Sequence, residues 1–144
     1  MAVIKPQFTW SDTWLLMSIS LADQNLGVSL GELISIGDYI NHAIFTGPEL
    51  RCGLAKLSYL GYVAEKESRF FLDGQAKEFC ENRGKSRMSL LKRQAAFGKF
   101  LDAEPYSAES HFDDPNWQYP GITDEIAEKA YQEYLGKSQK KNKK

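Results

Sequence analysis

Two helix-start signals in close succession constrain the fold of this chain more than any other feature. Ser29-Leu-Gly-Glu32 and Thr46-Gly-Pro-Glu49 both match a capping box. In this motif the N-cap hydroxyl accepts the N3 amide, and the N3 glutamate accepts the N-cap amide. The first helix is predicted to end near Asn41, because apolar residues recur at helical spacing up to Ile40, and the second is predicted to start near Thr46.

The second of these helices has two distinct faces and a clear end. At about 100° per residue, one face is apolar and is predicted to point into the core. Its members are Leu50, Leu54, Leu57 and Gly61. The opposite face contains Glu49, Cys52, Lys56 and Tyr59, with Arg51 and Ala55 on the flanks. Leu60-Gly61 predicts the helix end, and the outer face is expected to be free for docking.

The surrounding segments complete a mainly α fold with a small β-hairpin. A helix capped by Ser11 or Asp12 precedes the two helices described above. After them, residues 62–65 and 69–72 are β-favouring runs around the turn 66–68, which predicts a hairpin. Asp73 then caps a fourth helix that runs to about Asn82. We therefore expect a first domain over residues 8–84.

Charge divides the remainder of the chain into blocks, although the net charge of the whole is only -1. Residues 85–101 carry five Lys/Arg and no acid, and they predict a basic helix with Leu90, Phe97 and Leu101 on one side. The extension 102–136 is acidic at first, with eight Asp/Glu and no base up to residue 128, and ends in a short helix. Residues 137–144 are rich in lysine and are predicted to be disordered.

No catalytic or metal-binding pattern is present in the sequence. There is no Gly-rich phosphate loop, no GxSxG and no HExxH motif, so we expect neither an enzyme nor a cofactor. Cys52 and Cys80 lack metal-ligand spacing and are expected to be buried free thiols. His111 lies among acids, in a proline-flanked polar loop (Glu109, Asp113 and Asp114) that is interpreted as a loop without a metal. The chain also lacks a signal segment and an apolar membrane span, which predicts a cytoplasmic protein.

Residues 29–72 resemble the winged helix-turn-helix superfamily of bacterial transcription regulators. The motif is Thr46-Gly-Pro-Glu-Leu-Arg-Cys-Gly-Leu-Ala-Lys-Leu-Ser-Tyr-Leu-Gly-Tyr-Val63, followed by the hairpin. The resemblance implies that residues 48–60 form a recognition helix in the major groove of double-stranded DNA and that the wing 66–69 touches the backbone. By position, the base-facing candidates are Arg51, Cys52, Ala55 and Lys56, and the phosphate-facing candidates are Lys66, Ser68 and Arg69.

Two functions remain open at this point. The first is a DNA-binding regulator, expected to be a homodimer with its contact at Leu90, Phe97 and Leu101. The second is a winged-helix module that binds another protein and not DNA. This alternative follows from the low number of cations on the presumed DNA face, where Glu49, Glu65 and Glu67 are interspersed.

The acidic stretch 102–128 has three interpretations: a solvated linker, a strap over the 85–101 lysines, or an internal competitor for the DNA surface. Its aromatic residues favour a strap packed on the protein surface, because disordered segments are poor in aromatic side chains.

Overall fold

The computed structural model describes residues 5–83 and 89–142, and this part of the chain is mainly helical with one small antiparallel hairpin. The elements in chain order are α1 (Trp10–Ser20), α2 (Leu30–Asn41), α3 (Gly47–Tyr59), β1 (Val63–Lys66), β2 (Arg69–Leu72), α4 (Gly74–Arg83), α5 (Leu90–Leu101), a 3-10 turn (Glu109–Asp113) and α6 (Asp124–Asn142). No helix in the described ranges is long and apolar enough to cross a membrane.

Both predicted capping boxes are present, and they set the starts of α2 and α3. The hydroxyl of Ser29 accepts the Glu32 amide at 3.2 Å, and the hydroxyl of Thr46 accepts the Glu49 amide at 3.2 Å. The start predicted for α1 was wrong by a few residues. Thr9 is the N-cap, and its amide donates to Asp12 Oδ2 at 2.8 Å, so the aspartate closes a third capping box from the N3 position.

The hairpin forms where it was predicted, with a tighter turn. Lys66 pairs with Arg69, so only Glu67 and Ser68 lie in the turn, and both have positive φ angles of 53° and 63°. This is the backbone that two-residue type I′ hairpins require. Val28 exchanges two backbone hydrogen bonds with Phe70, at 2.9 and 2.8 Å, and so joins the chain before α2 to the outer edge of β2.

The core lies where α1, α2 and α3 meet the hairpin. The three leucines at positions 50, 54 and 57 of α3 are fully buried, as predicted. α1 is buried along most of its length, since Leu16, Met17 and Ile19 are also fully enclosed. α3 crosses α1 closely because Gly53 has no side chain: a Cβ there would lie 2.5 Å from a Leu15 methyl group.

α5 turns its apolar face inward, which corrects the predicted dimer contact. Phe97 and Leu101 are only 2% and 5% exposed, because α5 packs on α1 and the Phe97 ring meets Phe79 with 5.3 Å between centroids. Neither side chain can reach a partner subunit in this conformation. Leu90, at the start of α5, is 37% exposed. The first part of the predicted basic helix, residues 84–88, lies outside the described residues.

α6 continues to Asn142 and so includes the first residues of the tail that is predicted to be disordered. Lysine and glutamine are good helix formers, and extension of an existing helix avoids the cost of nucleation. Residues 143–144 lie outside the described part of the chain.

The segment 104–122, called the strap below, is packed on the surface, as the aromatic residues predicted. It crosses the outer side of α3, however, and not the α5 lysines. The Glu104 amide donates to the Phe8 carbonyl at 3.0 Å, and the Tyr119 amide donates to the Arg51 carbonyl at 3.0 Å. Phe112 and Ile122 are 8% and 4% exposed, so the strap contributes to the core.

Candidate functional site

The outer face of α3 is covered, which corrects the expectation that it is free for docking. Cys52 and Lys56 are only 1% and 2% exposed. Within α3, all of which the structure describes, Tyr59 is the one exposed side chain, at 49%, and the strap residue Trp117 stacks edge-on against its ring at 5.2 Å. Periodicity distinguished the two faces of this helix correctly, but the outer face is also covered, except at Tyr59.

Lys56 belongs to a buried ion pair with α1. Its Nζ lies 2.5 Å from Asp12 Oδ2 and donates to the Gln7 carbonyl at 3.0 Å. The amine also lies 5.7 Å from the centre of the Phe8 ring. Because the N-terminal segment and α1 enclose it, this amine cannot reach a DNA phosphate or base while the fold is intact.

Arg51 is held by the strap and the start of α6. Its Nη1 donates to Asp124 Oδ1 at 2.6 Å and to the Ile122 carbonyl at 3.3 Å, and its Nε donates to Gln118 Oε1 at 3.2 Å. The arginine side chain is 20% exposed and that of Asp124 is 80% exposed. An acid of the strap–α6 junction therefore occupies the position that the DNA interpretation assigned to nucleic acid.

The two small residues of this face, Cys52 and Ala55, lie where the strap crosses α3. The Cys52 thiol donates to the His111 carbonyl at 3.3 Å, and burial raises the pKa of Cys52 to about 11. Ala55 is half-buried beside it. A thiol that stays protonated at neutral pH and is enclosed by the chain is a packing group and not a nucleophile.

The hairpin turn is the most accessible part of the predicted DNA surface. Lys66 and Ser68 are exposed. Arg69 is occupied: its Nη2 lies 2.7 Å from Glu32 Oε2, and the guanidinium also donates to the Leu26 and Gly27 carbonyls at 2.7 and 3.0 Å.

Beside this turn, the Tyr119 hydroxyl donates to Glu65, and burial together with this hydrogen bond raises the pKa of Tyr119 to about 12. The predicted face has four basic residues, and three of them have carboxylate partners in the described part of the chain. These are Arg51, Lys56 and Arg69, and the fourth is Lys66.

An open groove next to Arg69 was not predicted. It encloses about 760 Å³ between the α1–α2 connection, the first turns of α2, and α6. Leu26 in its wall is 64% exposed. At the α6 end, the Tyr134 hydroxyl donates to Asp38 Oδ2 at 2.5 Å, and this hydrogen bond raises the pKa of Tyr134. The sequence held one signal for this site, a leucine inside the polar break Asp23-Gln-Asn-Leu-Gly27.

The described residues contain no group of three His, Cys, Asp or Glu side chains placed to hold a metal ion. Comparison of the chain with protein-family models, curated proteins and solved structures gives no match.

Proposed function

We propose that this chain is a protein-interaction module of winged-helix type, in which the helix equivalent to a recognition helix has become an internal element. The supporting observation is the closed outer face of α3. Lys56 is buried with Asp12, and Arg51 is paired with Asp124, so the two cations nearest to a major groove already have anionic partners. DNA affinity depends on cations that remain free to neutralise phosphates.

Two large, exposed apolar side chains support the same proposal. Leu26 and Tyr39, on the α1–α2 connection and on α2, are 64% and 71% exposed. Leu26 forms part of a groove, and an apolar side chain in a concavity is a feature that a protein partner covers.

A DNA titration tests the part of the proposal that says the chain does not bind DNA. We expect a labelled duplex of mixed sequence to show no binding to the full chain at 50 mM salt up to about 20 µM protein, and Lys66→Ala to change nothing. Affinity in the low micromolar range that falls at least tenfold at 200 mM salt, and falls further in Lys66→Ala, would contradict it.

Site-directed photo-crosslinking tests the positive part. A photoreactive amino acid at position 26 is expected to give a discrete adduct with a polypeptide in the cells that make this chain. The same group at position 77, an exposed site on α4, provides the matched control. Adducts that are equal at both positions, or missing at position 26, would count against an interaction site at the groove.

DNA binding after displacement of the strap is the second candidate function. The Arg51–Asp124 pair favours it, because the aspartate side chain is 80% exposed and exposed pairs contribute only about 0–1 kcal/mol. If the strap opens, Arg51 joins Lys66 on a common face. In the titration above, Asp124→Asn combined with Ile122→Ala should then create salt-dependent DNA binding, which Arg51→Ala abolishes.

A further inference from the structure

The groove between α2 and α6 has a mixed lining, and no segment of the described chain fills it. Ala22, Leu26 and Ile36 form its apolar part, and Leu26 is 64% exposed. Gly31 of α2 also lines it, and a Cβ there would lie 3.4 Å from the Ala130 carbonyl of α6, so the two helices are in contact beside the groove.

The charges at the groove that have no ion-pair partner are negative. Among the described residues that line it, Arg69 is the only base, and its Nη2 lies 2.7 Å from Glu32 Oε2. Asp23 and Glu133 remain, both exposed and without an ion pair to any described residue. A partner that buries apolar side chains here is therefore favoured if it brings positive charge opposite Asp23 and Glu133.

The backbone around the groove favours recognition through side chains. Helices form two of its walls, and their interior amides and carbonyls are already used within the helices. At β2, Phe70 already bonds to Val28, so this outer edge does not offer two free hydrogen bonds to an added strand. A helix laid in the groove needs no backbone hydrogen bonds from the groove, because its own amides and carbonyls bond to one another.

We propose that the groove binds an amphipathic helix of another protein, with aliphatic residues on one face and Lys or Arg flanking them. This inference rests on the proposed function and specifies its partner. Leu26 and Ile36 supply the apolar contact, and Asp23 and Glu133 contact the flanking cations. Asp23 and Glu133 disfavour an acidic helix of the same shape, because both side chains are negatively charged.

A pair of synthetic helices tests the proposal with the full chain. The first is a labelled 18-residue peptide of leucine and lysine in helical pattern, and the second replaces every lysine with glutamate. We expect the lysine peptide to bind at least tenfold more tightly, and Leu26→Asp to weaken it at least tenfold. The double variant D23K/E133K should reverse the preference in favour of the glutamate peptide.

Two control variants make the same kinds of substitution outside the groove. Leu91→Asp puts the same charge at a leucine of α5 that is 81% exposed, and E78K/E81K makes the same charge change on exposed residues of α4. Neither control should change the ratio of the two affinities by more than about twofold. Equal effects of E78K/E81K and D23K/E133K would show general charge attraction and overturn the proposal.

Self-association is a separate outcome. A dimer in sedimentation that Leu26→Asp dissociates, and that the lysine peptide does not displace, would assign the groove to a second copy and overturn the partner proposed here. If position 26 crosslinks to another polypeptide while the lysine peptide fails to bind, the proposed function stands and this inference fails. If the crosslink also fails, both fail.

Discussion

Lys56 shows how a residue that looks solvent-exposed in the sequence can have a structural role. Its amine and the Asp12 carboxylate are both about 98% buried and lie 2.5 Å apart. Asp12 Oδ2 also accepts a hydrogen bond from the amide of Thr9, the N-cap residue of α1, while its Oδ1 has no hydrogen-bond partner among the described residues. Desolvation of such a pair is costly, and removal of one partner leaves the other as an uncompensated charge.

Replacement of Lys56 with methionine should therefore destabilise the fold strongly. We expect Lys56→Met to lower the free energy of unfolding by about 3–5 kcal/mol, measured by urea denaturation with circular dichroism at neutral pH. The double variant with Asp12→Asn should cost less than the sum of the single changes, because both remove the same pair. Lys77→Met, on exposed α4, should stay within about 0.5 kcal/mol. A cost below about 1 kcal/mol for Lys56→Met would show that the pair is not closed in solution.

Cys52 should make stability depend on alkaline pH. Its pKa is about 11 in the fold against 9.0 for a free thiol, chiefly because of burial. The unfolded chain loses the proton first, so this contribution to stability is complete below pH 9 and is lost as pH rises to about 11. Wild type should lose roughly 2 kcal/mol more than Cys52→Ala over this range, by urea denaturation at each pH. Equal pH profiles for wild type and Cys52→Ala would refute this assignment.

At the scale of elements, local signals predicted the helix starts and the hairpin, whereas the partners of each face could not be predicted. Capping boxes and turns involve neighbours within a few residues, and so Ser29 and Thr46 were recognisable directly. The partners of α3 come from both ends of the chain, and periodicity carries no information about them. Small side chains on the outer face, Cys52 and Ala55, were the available hint, because they leave room for a covering segment.

The turn of the β1–β2 hairpin contains two residues that are poorly suited to its backbone. Glu67 and Ser68 have positive φ angles, for which type I′ turns prefer Asn followed by Gly. We expect the double variant E67N/S68G to raise the free energy of unfolding by about 1 kcal/mol and the melting temperature by about 3 °C, by calorimetry. Glu67→Gln alters charge but not backbone preference, and should leave both unchanged. An equal gain from Glu67→Gln would assign the effect to charge.

At the scale of the whole molecule, the central issue is whether the strap is part of the fold or a removable cover. Backbone hydrogen bonds anchor it at both ends. The Glu104 amide donates to the Phe8 carbonyl, and the Tyr119 amide donates to the Arg51 carbonyl. Phe112 and Ile122 add buried apolar area between these anchors. These contacts join the strap to the N-terminal segment and to α3, so its release would expose parts of both.

Hydrogen exchange can measure that release directly. If the strap is integral, the Tyr119 amide should exchange with the same opening free energy as the Leu54 amide in α3, because both need global unfolding. The Asn116 amide, bonded at 2.9 Å to Asp114 in an exposed turn, should exchange faster and serves as the internal control. An opening free energy for Tyr119 several kcal/mol below that of Leu54 would mean that the strap detaches while the core persists. That outcome would favour DNA binding by an opened chain, since only an opening below global unfolding can free Arg51 in a folded protein.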